Sequence, residues 1–199
     1  MNHWINDGLE ALEIGRRLGR KVVVMATSTG GTLATWLLLG PLKAEVAATV
    51  LVSPNLTLVN RRSEILLWPG KELWLSIFIG NKVEFQAQNA LQERFWDVTH
   101  HSHSLIPMMK LVSRARKLNF SHWPSPVLIV TDSQDTVVDA GVTTRLFAQA
   151  PRSVATIHPW NAQSGDDHHV LAGEALSPKG TDAFVALVVN YLKDALPQT

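Results

Sequence analysis

The chain has 199 residues, enough for one domain with a sizeable core. Its formal net charge is +1 and no basic run exceeds Arg61-Arg62, which argues against nucleic acid or an anionic membrane as main partner. It has no cysteine, so disulfides and thiolate metal sites are excluded.

In chain order, Trp4 to Leu18 places Ile5, Leu9 and Leu12 on one helical stripe, stopped by Gly19 after Arg16 and Arg17. Met1-Asn2-His3-Trp4 lacks the basic start and apolar core of a signal peptide, so a cytoplasmic location is expected. Lys21 to Gly31, KVVVMATSTGG, reads as a buried β-branched strand, a sharp turn, and a helix running from Thr32 to Leu39. Gly40-Pro41 ends that helix, and Ala47 to Val52 is a second apolar strand closed by Ser53-Pro54-Asn55. Two parallel strands around a helix form a βαβ unit. The longest apolar runs, Leu33 to Leu39 and Val127 to Val130, are far short of a membrane span.

From Leu56 to about Phe120 the pattern changes. Trp68, Trp74, Phe78, Phe85, Phe95 and Trp96 concentrate here, at helical spacing and without a Val/Ile strand. The expectation is a helical cap inserted at 56–120 into a core made of 1–55 and 121–199. Strand character returns at Pro126 to Thr131, followed by DSQDTVVD and a helix near Val142 to Gln149. Ser153 to Trp160 is the last strand and opens the polar loop NAQSGDDHH. Ser177-Pro178 reads as N-cap and first residue of a terminal helix buried through Phe184, Leu187, Val188 and Tyr191.

The turn carries the chemistry. Ala26-Thr27-Ser28-Thr29-Gly30 is a small-x-Ser-x-Gly nucleophile elbow: the serine must leave the sheet in a strained turn, and small residues two positions either side make room. The helix that follows offers its N-terminal dipole and the Thr29 N–H to an oxyanion. A serine nucleophile needs a base and an orienting acid. The acid is Asp132, Asp135 or Asp139. Asp132 can still belong to the strand and Asp139 reads as a helix N-cap, so Asp135 is favoured. The base is His168 or His169, with His169 preferred because Val170-Leu171-Ala172 can anchor its loop. Asp166 and Asp167 read as solvated. His100-His101-Ser102-His103 suggests a metal, but adjacent histidines diverge and no carboxylate cluster accompanies them, so no metal is expected.

The stretches LGRKVVVMATSTGGTLATWL, LVSPN, RFWDVTHHSHSLIPMMKLV, PVLIVTDSQDTVVD and DDHHVLAGEALSP together resemble the α/β-hydrolases, specifically carboxylesterase and monoglyceride-lipase-like serine hydrolases. The resemblance implies a three-layer α/β fold with a mainly parallel sheet. It places nucleophile, acid and base on Ser28, Asp135 and His169. It further implies hydrolysis of small to medium acyl esters through an acyl-enzyme, without a cofactor. Trp68, Trp74, Phe95 and Trp96 would then wall an apolar acyl pocket. The family's sheet has four strands before the elbow strand and a loop supplying a second oxyanion donor; here one helix precedes Lys21. An N-terminally reduced hydrolase with weakened activity is therefore expected, since losing one donor costs about 3–4 kcal/mol in a measured case. The missing neighbour would leave Lys21 to Met25 as an open edge, from which a homodimer or higher oligomer follows. Two rivals share the features: an impaired fold that serves assembly or binding, and an acyltransferase using the same three residues.

Overall fold

The computed structural model describes residues 1–70, 80 and 82–196. Its elements in chain order begin with helix α1 (Asn2–Leu18), strand β1 (Val23–Thr27), helix α2 (Thr29–Leu39) and strand β2 (Ala48–Val52). A 3-10 segment (Arg61–Leu67), strand β3 (Lys82–Glu84), helix α3 (Ala90–Phe95), strand β4 (Thr99–His101) and helix α4 (Leu105–Ala115) follow. Strand β5 (Val127–Asp132), helix α5 (Ala140–Phe147), strand β6 (Ala155–Trp160) and helix α6 (Thr181–Ala195) complete the fold.

The apolar runs assemble, among the described residues, into a parallel sheet of order β1-β2-β5-β6. Its registers pair Thr27 with Val52 and Asp132 with Trp160, which aligns the carboxyl ends of the strands at one edge. β2 and β5 are buried throughout, the signature of central strands covered on both faces. Their side chains alternate. Leu51, Val127 and Ile129 pack with Leu12 of α1, Ala34, Leu37 and Leu38 of α2, and Phe147 of α5. Val50, Val52, Leu128 and Val130 pack with Leu171 and with Phe184 and Val188 of α6. Helices thus cover both faces of a mainly parallel sheet, an α/β fold in three layers. Each fully buried aliphatic side chain stabilises it by about 1.5–3 kcal/mol.

Ile5, Leu9 and Leu12 all join the core, as the stripe on α1 predicts. Gly8 faces α2 so closely that a Cβ there would stand 2.7 Å from Leu37 Cδ1. β1 pairs with β2 alone among the described residues, and Met25 is 55% exposed. Ile14 and Leu18 of α1 are exposed nearby.

Two local expectations are corrected. The segment after Leu56 is not wholly helical: β3 and β4 form a short antiparallel pair, Val83 opposite His100. Neither strand has an apolar alternation to reveal it, and its hydrogen bonds, not burial, hold it. The terminal helix starts at Thr181 rather than Pro178, because Ser177 is drawn into the loop before it. Gly19 closes α1 as expected, in an extended conformation.

The steric demand of the elbow also falls elsewhere than the motif suggests. A Cβ on Gly30 would meet Ala26 Cβ at an ordinary 3.8 Å, whereas one on Gly31 would lie 2.8 Å from Pro54 Cβ. Gly31→Ala should therefore destabilise the chain by about 1–2 kcal/mol, overpacking outweighing the gain in helix propensity. Gly30→Ala should be neutral or stabilising by up to about 1 kcal/mol. Urea unfolding of the two variants checks the contrast, and equal losses would refute it.

Candidate active site

Ser28 follows β1 directly and caps α2, with φ 52° and ψ −122°. Few L-residues adopt that geometry, and it lifts the side chain off the sheet edge. Hydrogen bonds from β2 and the turn beyond it hold it. Ser28 N–H donates to the Val52 carbonyl at 3.0 Å, extending the β1–β2 ladder by one residue. Its carbonyl accepts from Asn55 N–H at 2.9 Å, and the Thr32 hydroxyl donates to the Asn55 carbonyl at 2.6 Å. Asn55 reaches further, its amide lying 3.4 Å from the Thr29 hydroxyl. Ser53, itself at φ 43°, turns the chain so that Pro54 and Asn55 cross beneath the start of α2.

Ser28 Oγ lies 3.0 Å from His169 Nε2. The other ring nitrogen, Nδ1, lies 2.8 Å from Asp135 Oδ2. In the neutral tautomer that donates from Nδ1 to Asp135, Nε2 accepts from the serine hydroxyl. Asp135 is buried, and its Oδ1 accepts from the N–H groups of Val137 and Val138, so the turn after β5 fixes its orientation. Of the acid candidates, Asp135 meets His169. Asp139 caps α5 through Val142 N–H and binds Arg61 at 2.8 Å.

Asp132 goes elsewhere. It ends β5, fully buried, and its Oδ2 lies 2.8 Å from His168 Nδ1. It also accepts from the N–H groups of Gln134 and Ala162. Burial alone would raise its pKa, but these donors, Gln134 N–H first, hold the carboxyl below its ordinary range. The two neighbouring histidines thus meet two carboxylates from one turn, an arrangement the sequence hints at only through the doubled spacing of D-x-x-D and H-H.

The loop carrying the histidines is built from its own side chains. Asp167 Oδ1 accepts from the N–H groups of His169 and Val170, and Asp166 accepts from Gly180 N–H at 2.7 Å just before α6. Asp166 is buried, so the solvated reading of this pair fails. Ser177 Oγ donates to the Val170 carbonyl and accepts from Asp167 N–H. Nothing in a run of polar residues announces such a network; only the capping preference of aspartate points to it.

The segment from Leu56 to Phe120 grips both loops. Leu58 bridges to Val138, Gln88 Nε2 donates to Asp167 at 3.2 Å, and Asn89 Nδ2 to the Ala175 carbonyl. Arg116 of this segment forks onto Glu64, and the hydrogen bonds keep that carboxyl below its ordinary pKa. Trp68 and Phe95 are 63% and 66% exposed, and Trp96 is partly so. Trp74 and Phe78 lie outside the described residues. Among the described residues no group of three or more His, Cys, Asp or Glu could hold a metal ion, and no helix is long and apolar enough to cross a membrane.

No protein-family model matches this sequence, and no curated protein matches it significantly. Solved structures do. The monoacylglycerol lipase of Paleococcus ferrophilus superposes with a TM-score of 0.68 at 16% identity, over 96% of this chain and 76% of the lipase. A soluble variant of the monoglyceride lipase of Saccharomyces cerevisiae, in complex with a substrate analog, gives 0.70 at 12% identity, over 100% and 70%. Est1E of Butyrivibrio proteoclasticus with ferulic acid bound gives 0.62 at 15% identity, over 98% and 68%. The chain has the α/β-hydrolase fold these lipases and esterases share.

Asp132 supplies a direct test of the site's electrostatics. Its folded-state pKa lies below the unfolded value near 3.9, so its stabilisation is full above that value and fades as pH falls through the folded one. Asp132→Asn should cost about 1–3 kcal/mol near neutral pH. The gap to wild type should close in acid, as read from urea unfolding at several pH values.

Proposed function

We propose that the chain is a serine hydrolase of carboxylic esters. The observation that carries this reading is the run of hydrogen bonds Ser28–His169–Asp135, 3.0 and 2.8 Å long, at the amino end of α2. On this reading Ser28 Oγ attacks the ester carbonyl while its proton passes to His169 Nε2, and Asp135 stabilises the imidazolium. The N–H of Thr29, in the first turn of α2 where helix donors lack intrahelical partners, faces the oxyanion. Collapse expels the alcohol, which takes the proton from His169. Water then attacks the acyl-enzyme with His169 again as base, releasing the acid and restoring Ser28.

The aromatic side chains of the cap are available to an acyl group: Trp68, Phe95 and Trp96 all expose apolar surface. On this reading they support a preference for apolar acyl chains over short polar ones. A p-nitrophenyl ester series tests that preference, which fails if activity is highest for the most polar acyl groups.

A fluorophosphonate should label Ser28 in the folded chain, and Ser28→Ala should abolish both labelling and ester hydrolysis. Loss of kcat on the order of 10⁶-fold is the scale for removing such a nucleophile. Asp135→Asn should cost roughly 10⁴-fold, the scale of a lost orienting acid. Undiminished hydrolysis by Ser28→Ala would end the reading.

Among the described residues β1 is paired on one side only, which supports a second property, self-association. The strand exposes Met25, and an apolar groove of about 320 Å³ lined by Leu12, Val24, Leu33 and Leu37 runs beside it. Exposed strand edges recruit partners unless blocked. Sedimentation of dilute protein should show a dimer or larger species, and a monomer at micromolar concentration would refute it.

A further inference from the structure

We infer that Asp132 and His168 form a positioning pair that fixes the His169 ring over Ser28, an inference that rests on the hydrolase reading for its kinetic consequences. Asp132 is fully buried, and its oxygens collect donors from three separate places. Gln134 lies in the turn that carries Asp135, Ala162 in the loop after β6, and His168 beside the proposed base. Burying a carboxylate is expensive unless it is well satisfied. A strand end in need only of packing has no use for one. What this carboxylate gains is a fixed relation between the acid turn and the base loop.

The geometry is a two-point clasp. Asp132 and Asp135 are joined by their own turn, Asp135 N–H donating to the Asp132 carbonyl at 3.2 Å. His168 and His169 share a peptide bond. Each imidazole presents Nδ1 to one carboxylate at 2.8 Å. The peptide between them is held at the His169 N–H by Asp167 Oδ1, and the His168 ring adds a second hold on its other side, so that the height of His169 Nε2 above Ser28 Oγ follows. Without the His168 contact that side of the peptide is free to tilt, and His169 could swing about its Nδ1 bond while keeping it. The His168 side chain is 35% exposed, so packing does not explain its place. Its one described polar contact is Asp132.

His168 is thus a positioning residue that touches no substrate. Its loss should lower kcat and leave KM near wild type. His168→Ala should reduce kcat for a p-nitrophenyl ester, and the rate of fluorophosphonate labelling, by about 10- to 100-fold, the scale of a misplaced catalytic group. His168→Asn places an amide nitrogen where Nδ1 stands, so it should restore most of the rate with the pH profile unchanged. His168→Gln, whose amide lies one methylene further out, should not. If the alanine variant fails to fold, the asparagine and glutamine variants carry the test.

Wild-type rates in His168→Ala or His168→Gln would overturn the proposal. So would a loss in His168→Asn as deep as in His168→Ala, which would make the ring's other nitrogen necessary. Proton NMR of the imidazole N–H region separates this inference from the hydrolase reading. The Nδ1 proton of His169 should be sharp and downfield in wild type and His168→Asn, and broadened in His168→Ala, even if no ester is hydrolysed. An unchanged signal in His168→Ala would refute the clasp. Absent labelling and hydrolysis in wild type would refute the hydrolase reading alone.

Discussion

The backbone at Ser28 is the constraint on which the rest of the site depends. A non-glycine residue in that conformation costs of order 1–3 kcal/mol, and such a residue persists only when its surroundings determine it from several sides. Here β2 supplies them. Its last carbonyl, at Val52, takes the serine N–H; the turn beyond it returns Asn55 to the serine carbonyl; and Pro54 fills the space left by Gly31. β2 is itself buried on both faces and paired on both sides, so it cannot yield. The most deeply buried strands of the sheet thus support the strained turn at Ser28.

The opposite half of the site is held by different means. The Asp135 turn and the His169 loop have little apolar anchoring beyond Val138, Leu171 and Leu176. They are fixed instead by carboxylates that accept from backbone N–H groups: Asp132, Asp135, Asp166 and Asp167 each do so. Side chain to backbone bonds of this kind order loops without requiring a core beneath them. The segment after Leu56 adds its own ties, Arg61 to Asp139 on the acid side and Gln88 to Asp167 on the base side. Any movement of that segment is mechanically linked to both loops.

The strands were legible because they read as apolar runs, and all four lie within a residue or two of their expected bounds; the burial expected of β1 was not found, since every one of its residues is at least partly exposed at the sheet edge. The elbow was legible because its physics restricts the residue types. The choice of Asp135 and His169 over their neighbours followed from turn position and from an apolar anchor, and Leu171 is indeed buried. The β3–β4 pair was not legible, because Lys82-Val83-Glu84 and Thr99-His100-His101 carry no alternation. Nor was the start of α6: Ser177-Pro178 has the composition of a cap, but the serine hydroxyl is spent on Val170 and Asp167. Polar side chains have several partners open to them, and only the folded chain decides among them. The same holds for Asp132, whose partner is settled by which residues a turn and a loop bring within 3 Å.

Ser28 and His169 are 141 residues apart, and every strand pairing in the main sheet is a crossover rather than a hairpin. Contacts of such long range carry a large loop-closure entropy, which slows folding. The last strand and the loop behind it must dock before the hydroxyl meets its imidazole. A chain in which that loop has not docked would hold the Ser28 turn without His169 beside it, together with unpaired strand edges prone to aggregation. If Ser28 is the nucleophile proposed above, its reactivity reports on completion of the whole fold, making the site a built-in gauge of conformational quality during refolding.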